Sequence, residues 1–223
     1  MSDAPEVSVL VPTFNQERYL GRCLRSLMAQ SLERDRFEII VIDDGSTDGT
    51  ALVVQSFIEE VRLLRFDQNR GLPAALNAGL EAASGEFSIR VDSDDYVNAD
   101  FLKVLHLFVA ENPDIDAIAC DYLLVDDVEN VIQRCNALDE PIACGIMFRT
   151  EHLHALGRYD ESFRIHEDVD LRHRFLERHE IHRLALPLYR YRRHDANMTN
   201  DVEAGSAFLE RFREKHGIGG GDG

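Results

Sequence analysis

Phe87-Ser-Ile-Arg-Val-Asp-Ser-Asp-Asp-Tyr96 is the stretch on which the fold turns. It opens as a short apolar run of the kind buried on both faces of a parallel sheet. It closes in Asp92, Asp94 and Asp95. Open α/β sheets bind their ligands at the carboxyl ends of the strands, which is where these acids fall. In extended chain, residues two apart face the same way, so Asp92 and Asp94 share a side and Ser93 takes the other. Two carboxylates on one rim repel each other, and a fold that keeps them together brings a cation; hard oxygen donors suit Mg²⁺ or Mn²⁺. A solvated acidic loop is the alternative in a chain this acidic.

Three strand–helix units lead up to that stretch. Val7 to Val11 is a β-branched run, ended by Pro12 because proline brings no N–H to a ladder. Tyr19, Leu20, Cys23, Leu24, Leu27 and Met28 then recur at helical spacing between Glu17 and Gln30, with Glu17 as a cap. Phe37 to Ile42 runs into Asp43-Asp44-Gly45-Ser46, a turn that Asp43 orients, and a helix follows over about 50–60 with Leu52, Val53, Ser56 and Phe57 on one face. Val61 to Phe66 is the third strand, and Asn69-Arg70-Gly71 the loop after it. Pro73 fits the first turn of a helix, and Ala74, Ala75, Ala78 and Gly79 let that helix lie close to the sheet. This alternation predicts an α/β fold with a doubly wound, mostly parallel sheet flanked by helices.

The second half is less regular. Helices are expected over 100–112, 151–156, 167–178 and 201–216, strands over 117–125 and 181–191, and a hairpin turn at Asp126–Asn130. With no repeat and no linker, residues 1–216 read as one domain, with halves of about 6–98 and 99–216, the second smaller and mixed. The glycine-rich tail 217–223 is expected to be flexible.

The net charge of −17, from 24 basic and 41 acidic side chains among 223 residues, excludes a nucleic-acid backbone binder, which needs a basic face. It leaves room for a nucleotide held through a metal. Cys23, Cys120, Cys135 and Cys144 have neither zinc-site nor redox spacing, and Cys23 and Cys120 read as buried thiols. No signal peptide or long apolar run is present, so a soluble cytoplasmic protein is expected.

Four loops fall at successive strand ends: Pro12–Asn15, Asp43–Ser46, Asn69–Gly71 and Asp92–Asp95. Together they offer an aromatic ring for a base, carboxylates for its edge or the ribose, an arginine, and a cation site for phosphates. Val-Pro-Thr-Phe-Asn-Gln-Glu (11–17), Ile-Asp-Asp-Gly-Ser-Thr-Asp-Gly-Thr (42–50), Asn-Arg-Gly-Leu-Pro-Ala-Ala-Leu-Asn-Ala-Gly (69–79), Val-Asp-Ser-Asp-Asp (91–95), Cys-Gly-Ile-Met-Phe-Arg (144–149), Gly-Arg-Tyr-Asp-Glu-Ser-Phe (157–163) and His-Glu-Asp-Val-Asp-Leu (166–171) resemble, in order and spacing, family 2 of the glycosyltransferases. The resemblance covers about residues 6–200.

It implies a GT-A fold and an inverting, divalent-metal-dependent (Mn²⁺ or Mg²⁺) transfer of a sugar from a UDP- or GDP-type donor to the hydroxyl of a glycan or lipid-linked acceptor, with peripheral membrane association left open. Carried over by position, Pro12, Thr13, Phe14, Asn15, Asp44, Asn69, Arg70, Asp92 and Ser93 form the nucleotide side, with Phe14 stacked on the base. Asp94 is the metal ligand, joined by Asp92 and by His194 from the terminal motif Tyr189–His194 and Asn197-Met198-Thr199. Asp168 is the catalytic base, with Glu167 its rival. The helix N-terminus favours the ionised form of Asp168. A surface histidine is the other reading of His194, and ordinary helix-terminal charge that of Glu167, Asp168 and Asp170. His166 stands where many relatives have glycine and Arg172 where an aromatic is common, both on the acceptor side. A nucleotidyltransferase would want a glycine-rich, basic loop after the first strand, and a metal-binding signalling domain a lysine at a late strand end; neither is present. A degenerate, nucleotide-binding relative remains as the further alternative.

Overall fold

The early apolar runs form parallel strands: β1 (Val7–Thr13), β2 (Phe37–Asp43), β3 (Arg62–Arg65) and β4 (Phe87–Arg90). The computed structural model describes residues 4–163, 166–194, 208 and 211–217. β1 pairs in parallel with β2 and β4, and β2 with β3. Parallel neighbours need crossovers, supplied here by α1 (Leu20–Met28), α2 (Thr50–Gln55) and α3 (Leu72–Ala82). Helices on both faces explain why these strands carry no polar alternation. Val7, Val9, Val11, Ile39 and Val41 pack with Leu20, Cys23, Leu24 and Leu27 of α1, while Leu10, Ile40 and Ile42 pack with Ala75, Leu76 and Leu80 of α3. Gly79 permits the second contact: a Cβ there would lie 2.9 Å from Ile42 Cδ1.

The second half contributes β5 (Tyr96–Val97), α4 (Phe101–Ala110), β6 (Ala117–Val125), β7 (Val131–Cys135), β8 (Ile146–Arg149), α5 (Thr150–Ala155), α6 (Glu167–Leu176) and β9 (Ile181–Arg192). The strands run β3-β2-β1-β4-β8-β6-β9-β5 across one sheet, with β7 paired to β6. β8 is antiparallel to β4 and β6, β5 to β9 and β7 to β6, whereas β9 runs parallel to β6. The expected α/β architecture, with its mixed second half, is therefore what forms. Residues 208 and 211–216 are helical, within the expected terminal helix. Asn197, Met198, Thr199 and residues 218–223 of the tail lie outside the described residues.

Three local expectations are corrected. Pro12 does not end β1, which continues to Thr13. Asp44 N donates to Thr13 O, so Thr13 faces β2. The nitrogen of Pro12 then faces β4, whose pairing with β1 has already stopped at Arg90, and no ladder bond is lost. Leu52 does not line the buried face of α2: it is 76% exposed, and Thr50 and Val54 point inward. Thr50 fixes that rotation by accepting from Gln16 N through Oγ1 at 2.8 Å. Glu17 caps α2, not its own helix; its Oε2 accepts from Gly49 N at 2.7 Å.

Candidate active site

The carboxyl ends of β1 and β2 meet in register at Thr13 and Asp43. Both are buried. Asp43 Oδ1 accepts from Ser46 N at 2.9 Å, which orients the turn as expected. Asp43 Oδ2 lies 3.3 Å from Arg65 Nε yet accepts no hydrogen bond, and Thr13 Oγ1 has no partner among the described residues. Buried polar atoms are normally satisfied, and these two oxygens, in register on β1 and β2, have hydrogen-bonding capacity left for a polar group.

Asp44 ties the loops together: its carboxylate accepts from Arg70 N at 2.7 Å and Gly71 N at 2.9 Å. Asn15, at φ 52°, accepts from Thr47 N at 2.9 Å and donates its own N–H to Ser46 Oγ. Gly45, at φ 75°, passes so close to Gln68 that a Cβ would sit 2.6 Å from its backbone carbon. On this tied rim Phe14 stays 42% exposed, and the Arg70 guanidinium covers the Phe66 ring at 4.5 Å. The structure thus ties the loops holding Pro12–Asn15, Asp44, Asn69 and Arg70 together beyond the carboxyl ends of β1, β2 and β3.

Arg90, which sequence reasoning passed over, organises the acids. It is 8% exposed. Its Nε and Nη2 donate to Asp92 Oδ1 (2.5 Å) and Oδ2 (3.1 Å), and Nη1 donates to Glu167 Oε1 at 2.8 Å. A single guanidinium fork therefore joins the end of β4 to the start of α6. Burial works against the Arg90 cation, but Asp92 and Glu167 carry its pKa well above the ordinary value. Burial pushes the Asp92 carboxyl up while Arg90 pulls it down; the charge of Asp168 also reaches it. The signal was available: an arginine inside Phe-Ser-Ile-Arg-Val is a core charge that demands an acid.

Beyond Asp92 the acids diverge. Ser93 is buried, 5% exposed. Asp95 is buried and satisfied, accepting from Tyr189 Oη and Arg192 N at 2.7 Å each. Asp94 keeps an open carboxylate, with Oδ2 at 2.9 Å from His194 Nε2. His194 stacks on Tyr19 with ring centroids 4.9 Å apart. A carboxylate oxygen and an imidazole nitrogen are donor types that divalent ions accept, and Asp94 and His194 bring one of each together, joined here by a hydrogen bond. Both oxygens of Asp92 are held by Arg90, so its chemistry is that of an ion pair. Asp92, Asp95 and Cys144 also lie close together, but Asp95 and Asp92 are already occupied by protein donors.

Glu167 and Asp168 part company in the first turn of α6. Glu167 is 2% exposed and bound to Arg90; Asp168 is half-buried and faces the end of β4 closely enough for its charge to act on Asp92. His166 caps α6 at φ 57°, ψ 27°, a region that favours glycine. One grouping the spacing concealed is Asp116, His152 and His179. The two rings stack 4.1 Å apart at 16°, and near-parallel planes leave no point where both in-plane lone pairs meet a metal.

A family model described as Glycosyl transferase family 2 matches residues 8–166. Poly(ribitol-phosphate) beta-N-acetylglucosaminyltransferase TarS of Staphylococcus aureus is 40% identical over 108 residues, 47% of this chain and 19% of that protein. Putative glycosyltransferase EpsH of Bacillus subtilis is 34% identical over 122 residues, covering 54% and 34% of the two chains. The chain thus spans from about a fifth to a third of the length of these curated relatives. Among solved structures, S. aureus TarS 1-349 in complex with UDP-GlcNAc aligns with TM-score 0.76 and 26% identity over 88% of this chain and 61% of that one. Mannosyltransferase PcManGT of Pyrobaculum calidifontis, in complex with GDP-Man and Mn²⁺, shares the fold with TM-score 0.75 and 20% identity over 99% and 66%. Among the described residues no helix is long and apolar enough to cross a membrane.

Proposed function

The chain belongs to glycosyl transferase family 2, and from that premise we propose that it transfers a sugar from a nucleoside-diphosphate sugar to an acceptor hydroxyl, with inversion and with a divalent cation. The observation that carries the reading is the Arg90 bridge. By fastening Asp92 and Glu167 it sets the first turn of α6 against the end of the acid strand. Asp168 then stands beside the acids with its own carboxylate uncommitted by any ion pair among the described residues.

Phe14 stacks on the base, and Thr13 Oγ1 and Asp43 Oδ2 take polar groups of the nucleoside. Asp44, Asn69 and Arg70 shape that pocket. Asp92 and Ser93 lie on the ribose side, where Arg90 holds the Asp92 carboxylate in place through Nε and Nη2. TarS in complex with UDP-GlcNAc supports a uridine donor. Asp94 and His194 would hold Mn²⁺ or Mg²⁺, which when bound neutralises charge on the departing diphosphate as a Lewis acid. Asp168 accepts the proton of the attacking hydroxyl; in a single in-line displacement the anomeric centre inverts. Glu167 serves the architecture through Arg90. The acceptor is a glycan or lipid-linked glycan held by residues 99–216, the two halves working as one unit.

Asp168→Asn tests this. Nucleotide binding should persist while sugar transfer falls by about 10²–10⁴-fold, the usual loss when a general base is removed. Near-normal turnover would rule Asp168 out as the base.

A further inference from the structure

Arg172 lies one helical turn beyond Asp168 on α6. Residues four apart share a helix face, and the buried residues of α6 (Glu167, Asp170, Leu171 and Phe175) occupy the neighbouring one. Arg172 Nη1 is shut off from solvent and has no hydrogen-bond partner among the described residues. Such a buried, unmet guanidinium nitrogen costs stability. Burial pushes the pKa of Arg172 down, and Asp168 is the charge that opposes it.

That Arg172 Nη1 goes unmet is informative in this chain. With 41 acids to 24 bases, carboxylates are abundant, and four arginines near the cleft take them: Arg18 pairs with Asp127, Arg22 and Arg192 with Glu129, Arg90 with Asp92. Two residues along α6, Arg174 pairs with Asp170. The two flanking positions on the helix surface, Val169 and Leu176, are apolar and 39% and 49% exposed, so neither offers the guanidinium an acid.

We infer that Arg172 is the cation of an acceptor subsite that takes an anionic group, a phosphate or a carboxylate, carried by the sugar whose hydroxyl is attacked. One turn of helix sets Arg172 about 6 Å along the axis from Asp168, which spans a sugar ring with the hydroxyl at one end and the anion at the other. The donor diphosphate has its own cation site at Asp94 and His194 and does not need this arginine. The inference rests on the reading of Asp168 as the base.

The test uses the full chain as wild type, Arg172→Met and Arg172→Lys, each with UDP and Mn²⁺, and titrates glucose, glucose 6-phosphate and glucuronate by calorimetry. Wild type should bind at least one of the anions more tightly than glucose. Arg172→Met should lose about 10- to 100-fold of that advantage, the range of a charge-assisted contact, and Arg172→Lys should keep part of it. A preference for the phosphate or for the uronate identifies the source of the charge. Arg172→Met should melt no lower than wild type, because an apolar chain replaces an unmet buried cation. Equal binding of all three sugars by wild type, or an anion preference that survives in Arg172→Met, would overturn the inference. UDP–Mn²⁺ and GDP–Mn²⁺ titrated alone separate the two readings: failure of both to bind counts against the transferase assignment, while the anion comparison repeated without nucleotide still judges Arg172.

Discussion

Replacing Arg90 with methionine should cost this protein a large share of its stability. Arg90 and Glu167 are almost wholly buried, with side chains 8% and 3% exposed, and Asp92 is 21% exposed. Removing the guanidinium deletes three hydrogen bonds and strands two carboxylates beside each other. Breaking a buried pair by deleting one partner costs about 3–5 kcal/mol, against a total of about 5–15 kcal/mol for a typical fold. At about 2–4 °C per kcal/mol for a chain of this size, the melting temperature should drop by roughly 6–20 °C. Scanning calorimetry at neutral pH reads this directly. Adding Glu167→Gln to Arg90→Met should recover part of the loss, because one stranded charge is gone; a coupling of about 0.5–3 kcal/mol is expected for residues in one network. An Arg90→Met protein melting within about 3 °C of wild type would refute the claim that this arginine holds α6 to the acid strand.

Other outcomes follow from the same structure. Asp44→Ala should free the Arg70 and Gly71 amides, seen as faster hydrogen exchange at those two positions, and should weaken nucleotide binding; unchanged exchange would remove Asp44 as the tie between loops. Asp121 is buried and hydrogen-bonded by Arg183, which holds its carboxyl below the usual range. A group with a lowered folded pKa stabilises at neutral pH, and that contribution fades as pH falls below the unfolded value of about 3.9. Asp121→Asn should therefore be about 1–3 kcal/mol less stable than wild type at pH 7, with the gap closing towards pH 3. Urea midpoints at both pH values check it, and a constant gap would contradict it.

The sequence carried the fold well because its signals are local. Val7–Val11 and Phe37–Ile42 announce buried strands by composition, and Pro73 and Gly79 announce a helix pressed on a sheet. The rim loops were legible for the same reason: Asp43–Ser46 and Asn69–Gly71 are turn chemistry at strand ends. What could not be read were pairings across long separations. Arg90 and Glu167 are 77 residues apart, and nothing local says that one guanidinium serves two acids. Without that pair, Glu167 and Asp168 look equivalent; with it, one is structural and the other uncommitted. The length of β1 was misjudged because the harm of a proline depends on which neighbour its nitrogen faces. The rotation of α2 was misjudged because a hydroxyl contact from Thr50, not apolar periodicity, sets it. The meeting of Asp116, His152 and His179 was hidden because it depends on β8, β6 and β9 lying side by side.

The measurement that bears most directly on the account is a calorimetric titration of UDP and GDP into wild type and Asp94→Asn, with and without Mn²⁺. The account predicts that one of the two nucleotides binds wild type tightly only when Mn²⁺ is present, and that Asp94→Asn loses the metal-dependent part while remaining folded. Binding that ignores Mn²⁺, or that survives unchanged in Asp94→Asn, would contradict the assignment of Asp94 and His194 as the cation site on which the transfer reading depends.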